Sequence, residues 1–444
     1  MSCAQEVLPF EEYLSTVKAN HPSMKQANNL ELLSRAQDIA SRGPLDPRIQ
    51  GGVYRKEFDQ KLYYDEREVK LIIPTKWGLD IESLYQNNQG EFLDNSAFLP
   101  ENGLLAAGIS MPILRGLFFD ERRRSLRNAE LLSGLNSNEQ RLQINKLIEN
   151  ASKAYVDWQT NFLLLQIADE GVRLAELTRD FTVQSFQLGD LAAVDTLEAN
   201  LAIQNRTLQK TDAEIKYVMS TLHLNNFLWS PEGEQWFIVD QYVPEDMSLS
   251  FFRDSIGALI NDSSVILNHP KLKKLNIKKG QTELDKKLAS EYLKPVLNFK
   301  YQPLFETIEW NELAPASRDA YTLGINFELP ILNRKYRGKR KELEFKILNY
   351  SLEIDNEKRG LEVLFNQFQN IETLLGNQLQ NARQAASGYE ALTNAERTKF
   401  EIGESSLFLV NRREAKFLEM QFKATEVHNE LLKNRLSFFY TMIF

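Results

Sequence analysis

The side chains best suited to metal ligation or proton transfer are four histidines, His21, His223, His269 and His428. None has another at the i, i+4 spacing of a helical metal site, and two simply precede repeated prolines, at Asn20-His21-Pro22 and Asn268-His269-Pro270. A lone cysteine, Cys3, excludes an intrachain disulfide framework and a thiolate metal cluster. The sequence carries no Gly-x-Ser-x-Gly elbow, no phosphate loop and no Gly-x-Gly-x-x-Gly after a strand. Its many carboxylates sit where helices place solvated residues or i, i+4 partners of Lys and Arg. These residues predict no enzyme, no cofactor and no metal.

Charge and hydropathy narrow the classes further. A net charge of -8, with Lys and Arg mixed among Asp and Glu, argues against nucleic acid as a partner. An aromatic content of 10% belongs to a folded chain. No stretch approaches the roughly 20 apolar residues of a spanning helix; the greasiest, Leu104 to Phe119, is interrupted by Ser110, Pro112 and Arg115. If this chain meets a membrane, it does so as strands. At the start, Ser2-Cys3-Ala4 before Gln5 reads as the small-residue end of a signal peptide, so residues 1–7 are expected to be residual signal or tail. Cys3 is also a lipidation candidate.

The elements that must position any site come in two copies. Asn-His-Pro recurs as described, and Leu45-Asp46-Pro47 returns at the same offset as Leu293-Lys294-Pro295. Met111-Pro112-Ile113-Leu114 returns as Leu329-Pro330-Ile331-Leu332, and Phe186-Gln187-Leu188-Gly189 as Phe400-Glu401-Ile402-Gly403. Four markers in one order predict repeats over 8–228 and 263–444, joined by a linker over 229–262. The first half is about thirty residues longer between Pro47 and Pro112, which reads as a longer surface loop.

Within each half the periodicity changes in the same sequence. Helices follow Pro22 and Pro270, with proline where its missing N–H costs nothing. A period of two follows, over about 47–113 and 295–331. Tyr321, Leu323, Ile325, Phe327 and Leu329 alternate with Thr322, Gly324, Asn326 and Glu328, and Leu297 to Tyr301, Leu105 to Ile113 and Val69, Leu71 and Ile73 alternate likewise, predicting about four strands in all. Beyond each Pro-Ile-Leu the period is helical for about seventy residues, on the order of 100 Å of helix. Ile144, Ile148, Ala151, Tyr155, Trp158, Phe162 and Leu165 mark its coiled-coil seam. Leu361, Leu364, Phe368, Ile371 and Leu375 do so in the second copy, and Phe417, Met420, Ala424, Val427 and Leu431 in the last helix, which Leu436 to Phe444 closes. Gly189 and Gly403 predict hairpin tips.

Strand pairs with one greasy and one polar face cannot close alone in a bilayer, so several chains would have to complete a barrel. Tyr54, Trp77, Tyr301, Trp310 and Tyr321 are candidates for an interfacial girdle. Helix, strand pair and long helix, twice over, with Pro-Ile-Leu at the strand exit and Phe-x-x-Gly at the tips, resemble the outer-membrane efflux protein (TolC) family. The likeness covers essentially the whole chain. It implies a mainly α protein with a membrane β-barrel: a homotrimer with a twelve-stranded barrel on an α-helical periplasmic tunnel. It also implies a mixed equatorial region, including parts of 229–262 and the C-terminal residues.

The same resemblance implies partners: a periplasmic adaptor, an inner-membrane pump and outer-membrane lipid, in a tripartite efflux or type I secretion system. Conduction would be passive and gated at the tips. Asp190, Asp195, Glu401 and Glu404 are gate candidates, since threefold repetition turns an inward acid into a ring that favours cations. Phe186, Gly189, Phe400 and Gly403 are the adaptor-docking candidates. Arg115, Arg334 and Arg337, just past the strand exits, would meet lipid head groups or carboxylates. The rival reading is a soluble or periplasmic coiled-coil scaffold or adaptor.

Overall fold

A computed structural model describes residues 6–94, 98–238, 242–246, 264–309, 312–315 and 320–443, with backbone alone at 307–309, 312–315 and 443. Cys3, Trp310 and the 247–262 part of the linker lie outside the described residues. The first half runs β1 (Glu6–Leu8), α1 (Phe10–Asn20), α2 (Pro22–Ser41), β2 (Arg48–Phe58), β3 (Lys61–Pro74), β4 (Asp80–Gln89), β5 (Leu104–Pro112), α3 (Glu121–Leu188) and α4 (Ala193–Asn225). After β6 (Tyr242–Pro244) come α5 (Ser264–Leu267), α6 (Pro270–Glu291), β7 (Val296–Glu309), β8 (Glu312–Pro315), β9 (Tyr321–Glu328), α7 (Arg334–Glu401) and α8 (Leu407–Phe438). The long helices α3 and α7 each hold 68 residues, matching the periodic runs of the two halves.

The repeated Asn-His-Pro has a structural cause. Pro22 and Pro270 are the first residues of α2 and α6. The imidazole before each proline caps the new helix: Ser23 N donates to His21 Nδ1 at 3.1 Å, and Lys271 N to His269 Nδ1 at 3.2 Å. Each ring thus satisfies one of the N–H groups that a first turn leaves orphaned. These two histidines are caps in both copies.

The described chain divides into two compact units, one made of Leu30–Asn138 with Lys273–Asp355 and the other of the remainder. The first unit holds one antiparallel sheet in the order β2-β3-β4-β5-β7, with β8 and β9 following one another along the far edge of β7. That makes six strand positions where sequence periodicity predicted about four. The additional length of the first half is therefore not a surface loop but another strand pair. Asp59 and Gln60, at φ 53° and 57°, form the two-residue turn between β2 and β3, the left-handed geometry that matches strand twist in tight hairpins. Beyond the alternation of Val69, Leu71 and Ile73, two local features hide this pair from a periodicity reading. Asp-Gln lacks the glycine usual in such turns, and the Asp65-Glu66-Arg67-Glu68 run puts charge on both faces of β3.

Two helices of this unit pack on one another. Gly134 of α3 meets Ile277 of α6, and Gly280 of α6 meets Leu131 of α3, where absent side chains let the two helices approach closely. Arg124 bridges to Asp285 at 2.6 Å along the same contact. Arg115 stacks over Tyr292 at 3.9 Å, and Tyr292 lies flat on Tyr336 at 4.5 Å.

The second unit is built on helix seams. Trp158, Tyr155, Ala151 and Ile148 of α3 are buried, as are Leu361 and Phe368 of α7 and Phe417, Val427 and Leu431 of α8. Phe365 is buried as well, so the α7 core follows Leu361, Phe365 and Phe368 rather than stepping through Leu364. β1 pairs in parallel with β6, so Glu6 and Val7, expected to be tail, are strand residues. Tyr155 anchors that pair: its hydroxyl donates to Leu8 O at 2.5 Å and accepts from Glu245 N at 2.9 Å. Burial pushes its phenol well above the usual range, which keeps it a donor. α8 ends at Phe438 and a π-turn follows over Phe439–Ile443, where Thr441 O lies 2.8 Å from His269 Nε2.

Candidate functional site

Register decides which strand residues share a face. Val69 of β3 stands opposite Tyr85 of β4, Ile81 of β4 opposite Ile109 of β5, Met111 of β5 opposite Phe299 of β7, and Phe299 opposite Ile325 of β9. Ile49 of β2 faces Leu71. One face therefore carries an apolar band across all six positions, and Ile49, Val53, Val69, Ile81, Ile109, Leu323, Ile325 and Phe327 on it are exposed. The opposite face carries Gln50, Glu68, Lys70, Glu82, Gln86, Ser110, Asn298, Lys300, Thr322 and Asn326. Three of these interlock, with Glu82 Oε2 at 3.1 Å from Lys70 and 3.3 Å from Lys300, so one carboxylate ties β3, β4 and β7 together across β5. A sheet greasy on one side and hydrated on the other is what separates lipid from a lumen.

Parity sorts the girdle candidates. Tyr301 and Tyr321 lie on the apolar face, with ring centroids 5.7 Å apart. Tyr54 stands opposite Glu66 on the polar face. Trp77 is exposed in the turn between β3 and β4, where the Arg123 side chain donates to the Lys76, Trp77, Gly116 and Leu117 carbonyls.

The helix tips repeat one geometry. Gly189 (φ 91°) donates to Phe186 O at 3.0 Å while Asp190 N donates to Ser185 O at 2.9 Å. Gly403 (φ 80°) donates to Phe400 O at 3.0 Å while Glu404 N donates to Lys399 O at 2.8 Å. Each is a Schellman ending, which needs a residue in the left-handed region and so favours glycine there. Asp190, Glu401 and Glu404 are exposed. Asp195 is engaged locally, its carboxylate accepting from Ala192 N at 3.0 Å at the start of α4. The two phenylalanines differ: Phe400 is buried against Phe181, Ala199, Leu407 and Val410, while Phe186 is exposed. Phe400 is a plug, and the apolar surface at the tips comes from Phe186, Leu188 and Ile402.

No protein-family model matches this sequence, nor does any curated protein sequence. The structure does have matches. It superposes on the VceC outer membrane protein of Vibrio cholerae with a TM-score of 0.66 at 9% identity, covering 97% of this chain and 95% of that one. Against the CmeC outer membrane channel of Campylobacter jejuni the TM-score is 0.64 at 13% identity, over 97% and 85%. Against the MtrE outer membrane channel of Neisseria gonorrhoeae it is 0.63 at 12%, over 97% and 88%. This chain has the TolC-family fold.

Sequence reasoning missed several features of this TolC-like structure. Glu414 of α8, only 3% exposed, accepts from Arg397 of α7 at 2.6 Å, with Thr178 Oγ1 of α3 at 3.5 Å. Burial lowers the pKa of nearby Arg206, opposed by the Glu414 charge. A Glu in a charged helix reads as a surface residue, so nothing local marked it. Leu188 and Ile402 did carry a signal, since both precede the tip glycine inside the repeated motif. α4 also bears an exposed stripe, Val194, Leu197, Leu201, Leu208, Ile215, Val218 and Leu222, at heptad spacing. Among the described residues no group of His, Cys, Asp or Glu is placed to hold a metal, and no helix is long and apolar enough to cross a membrane.

Proposed function

We propose that three copies of this chain form an outer-membrane channel that conducts solutes passively, with its helix tips docking a periplasmic adaptor that links it to an inner-membrane pump. The observation that carries this reading is the apolar band across one face of the sheet, exposed in a single chain and backed by a polar face. Burying that face in a soluble protein would need a covering layer, whereas lipid covers it directly. The α4 stripe supports self-association, because seven apolar side chains at heptad spacing want a facing helix. The TolC-family fold supports the channel class, and the exposed apolar tips at Phe186, Leu188 and Ile402 suit an adaptor contact. The transported compound belongs to whichever pump loads the duct.

Expression in a Gram-negative host followed by fractionation tests this directly. The chain should remain with the outer membrane, require detergent for extraction and show the mass of a trimer in detergent. A chain recovered as a monomer from the soluble fraction would overturn the reading and restore the scaffold alternative.

A further inference from the structure

The twelve-stranded barrel implied by family resemblance allots four strands to each of three chains, yet this sheet fills six positions. Resting on the trimeric channel reading, we infer that β9 of one copy pairs with β2 of the next, so that three copies close a barrel of eighteen strands. The occupant of each open sheet edge is thus a second copy of this chain.

Four observations carry it. Among the described residues, β2 pairs only with β3 and β9 only with β7, so both outer edges present unpaired backbone groups, which a bilayer does not tolerate. Successive strands are antiparallel throughout, so with six positions β9 runs opposite to β2 and an antiparallel ladder can continue around the ring. The apolar face continues onto the extra hairpin through Ile49, Val69, Leu71 and Ile73, and gives way to Arg55, Asp65 and Arg67 toward the β2–β3 turn. A hairpin standing outside the bilayer would have no use for that band. Finally, Arg48 opens β2 and Glu328 closes β9, both on the polar face, so antiparallel pairing brings opposite charges toward the same end of the seam.

The competing closure, β9 onto β4, would have to strip β3 from β4, where ten consecutive residue pairs and the Lys70–Glu82 ion pair hold them. Because barrel diameter grows about linearly with strand number, eighteen strands make a mouth roughly 1.5 times as wide as twelve.

In a Cys3→Ser background, Ile49→Cys is combined in turn with Leu323→Cys, Ile325→Cys or Phe327→Cys, all on the apolar face. Oxidation should link trimers covalently, seen on a non-reducing gel, for at least one pair, while cysteine at Ile81 of β4 in place of Ile49 should link with none. Linkage through Ile81, or a detergent-stable trimer that links through neither, overturns the six-strand seam and leaves the channel reading standing. A monomeric chain overturns both. Because cysteine pairs can disturb folding, electron cryomicroscopy of the unsubstituted trimer gives the second measurement: eighteen strands in cross-section are expected, and twelve would refute the inference.

Discussion

At the residue scale, Gly108 of β5 is the tightest point of the sheet. A Cβ there would lie 1.9 Å from Tyr301 O and 2.7 Å from Gln302 Cα. The β5–β7 ladder lapses opposite Gln302 and Pro303, where proline has no N–H to give, and glycine lets the two backbones approach anyway. Gly108→Ala should therefore destabilise the sheet by about 2 kcal/mol or more, the scale of an overpacked interior, measured by thermal unfolding followed with far-UV circular dichroism. His21, His269 and His428, all in the unit of helix seams, form a second residue-scale case: burial lowers the pKa of each. A lowered folded-state pKa means the unfolded chain binds the proton more readily. The stability these rings contribute is whole above about pH 6.5 and is lost as pH falls below it. Melting temperature should drop between about pH 7.5 and pH 5.5, and His269→Asn, which keeps an acceptor for the cap, should shrink the drop.

At the scale of elements, α4 makes the clearest prediction. Leu201→Glu with Leu208→Glu puts charges into the middle of its exposed stripe, so the double variant should lose trimer mass in detergent while keeping its helical content. Retained trimers would remove α4 from the subunit interface. The helical elements were legible in sequence because their signals are local and repeated: a cap before each proline, a seam of three and four, a glycine ending each long helix. Of the β2–β3 pair only the alternation of Val69, Leu71 and Ile73 was legible, since the turn depends on two non-glycine residues in the left-handed region and the charges from Asp65 to Glu68 straddle both faces. Of the tip candidates, the motif located the turn itself. It did not separate the buried Phe400 from the exposed Phe186, because that difference arises from Phe181 and Val410 reaching in from other helices.

At the scale of the molecule, duplication produces two similar arms on one chain, and the sheet they share has an apolar band that no part of the described chain covers. Buried charge such as Glu414 with Arg397 was illegible in sequence, since only packing of α7 against α8 withdraws it from water. What the halves jointly form is a sheet, polar on one side and apolar on the other, with open edges. The most direct test is electrical. Purified trimer added to a planar lipid bilayer should insert and give discrete conductance steps with a linear current–voltage relation once its tips are opened, for instance by charge-neutralising Asp190, Glu401 and Glu404. Trimer that inserts yet never conducts, with the tips closed or opened, would contradict the channel account.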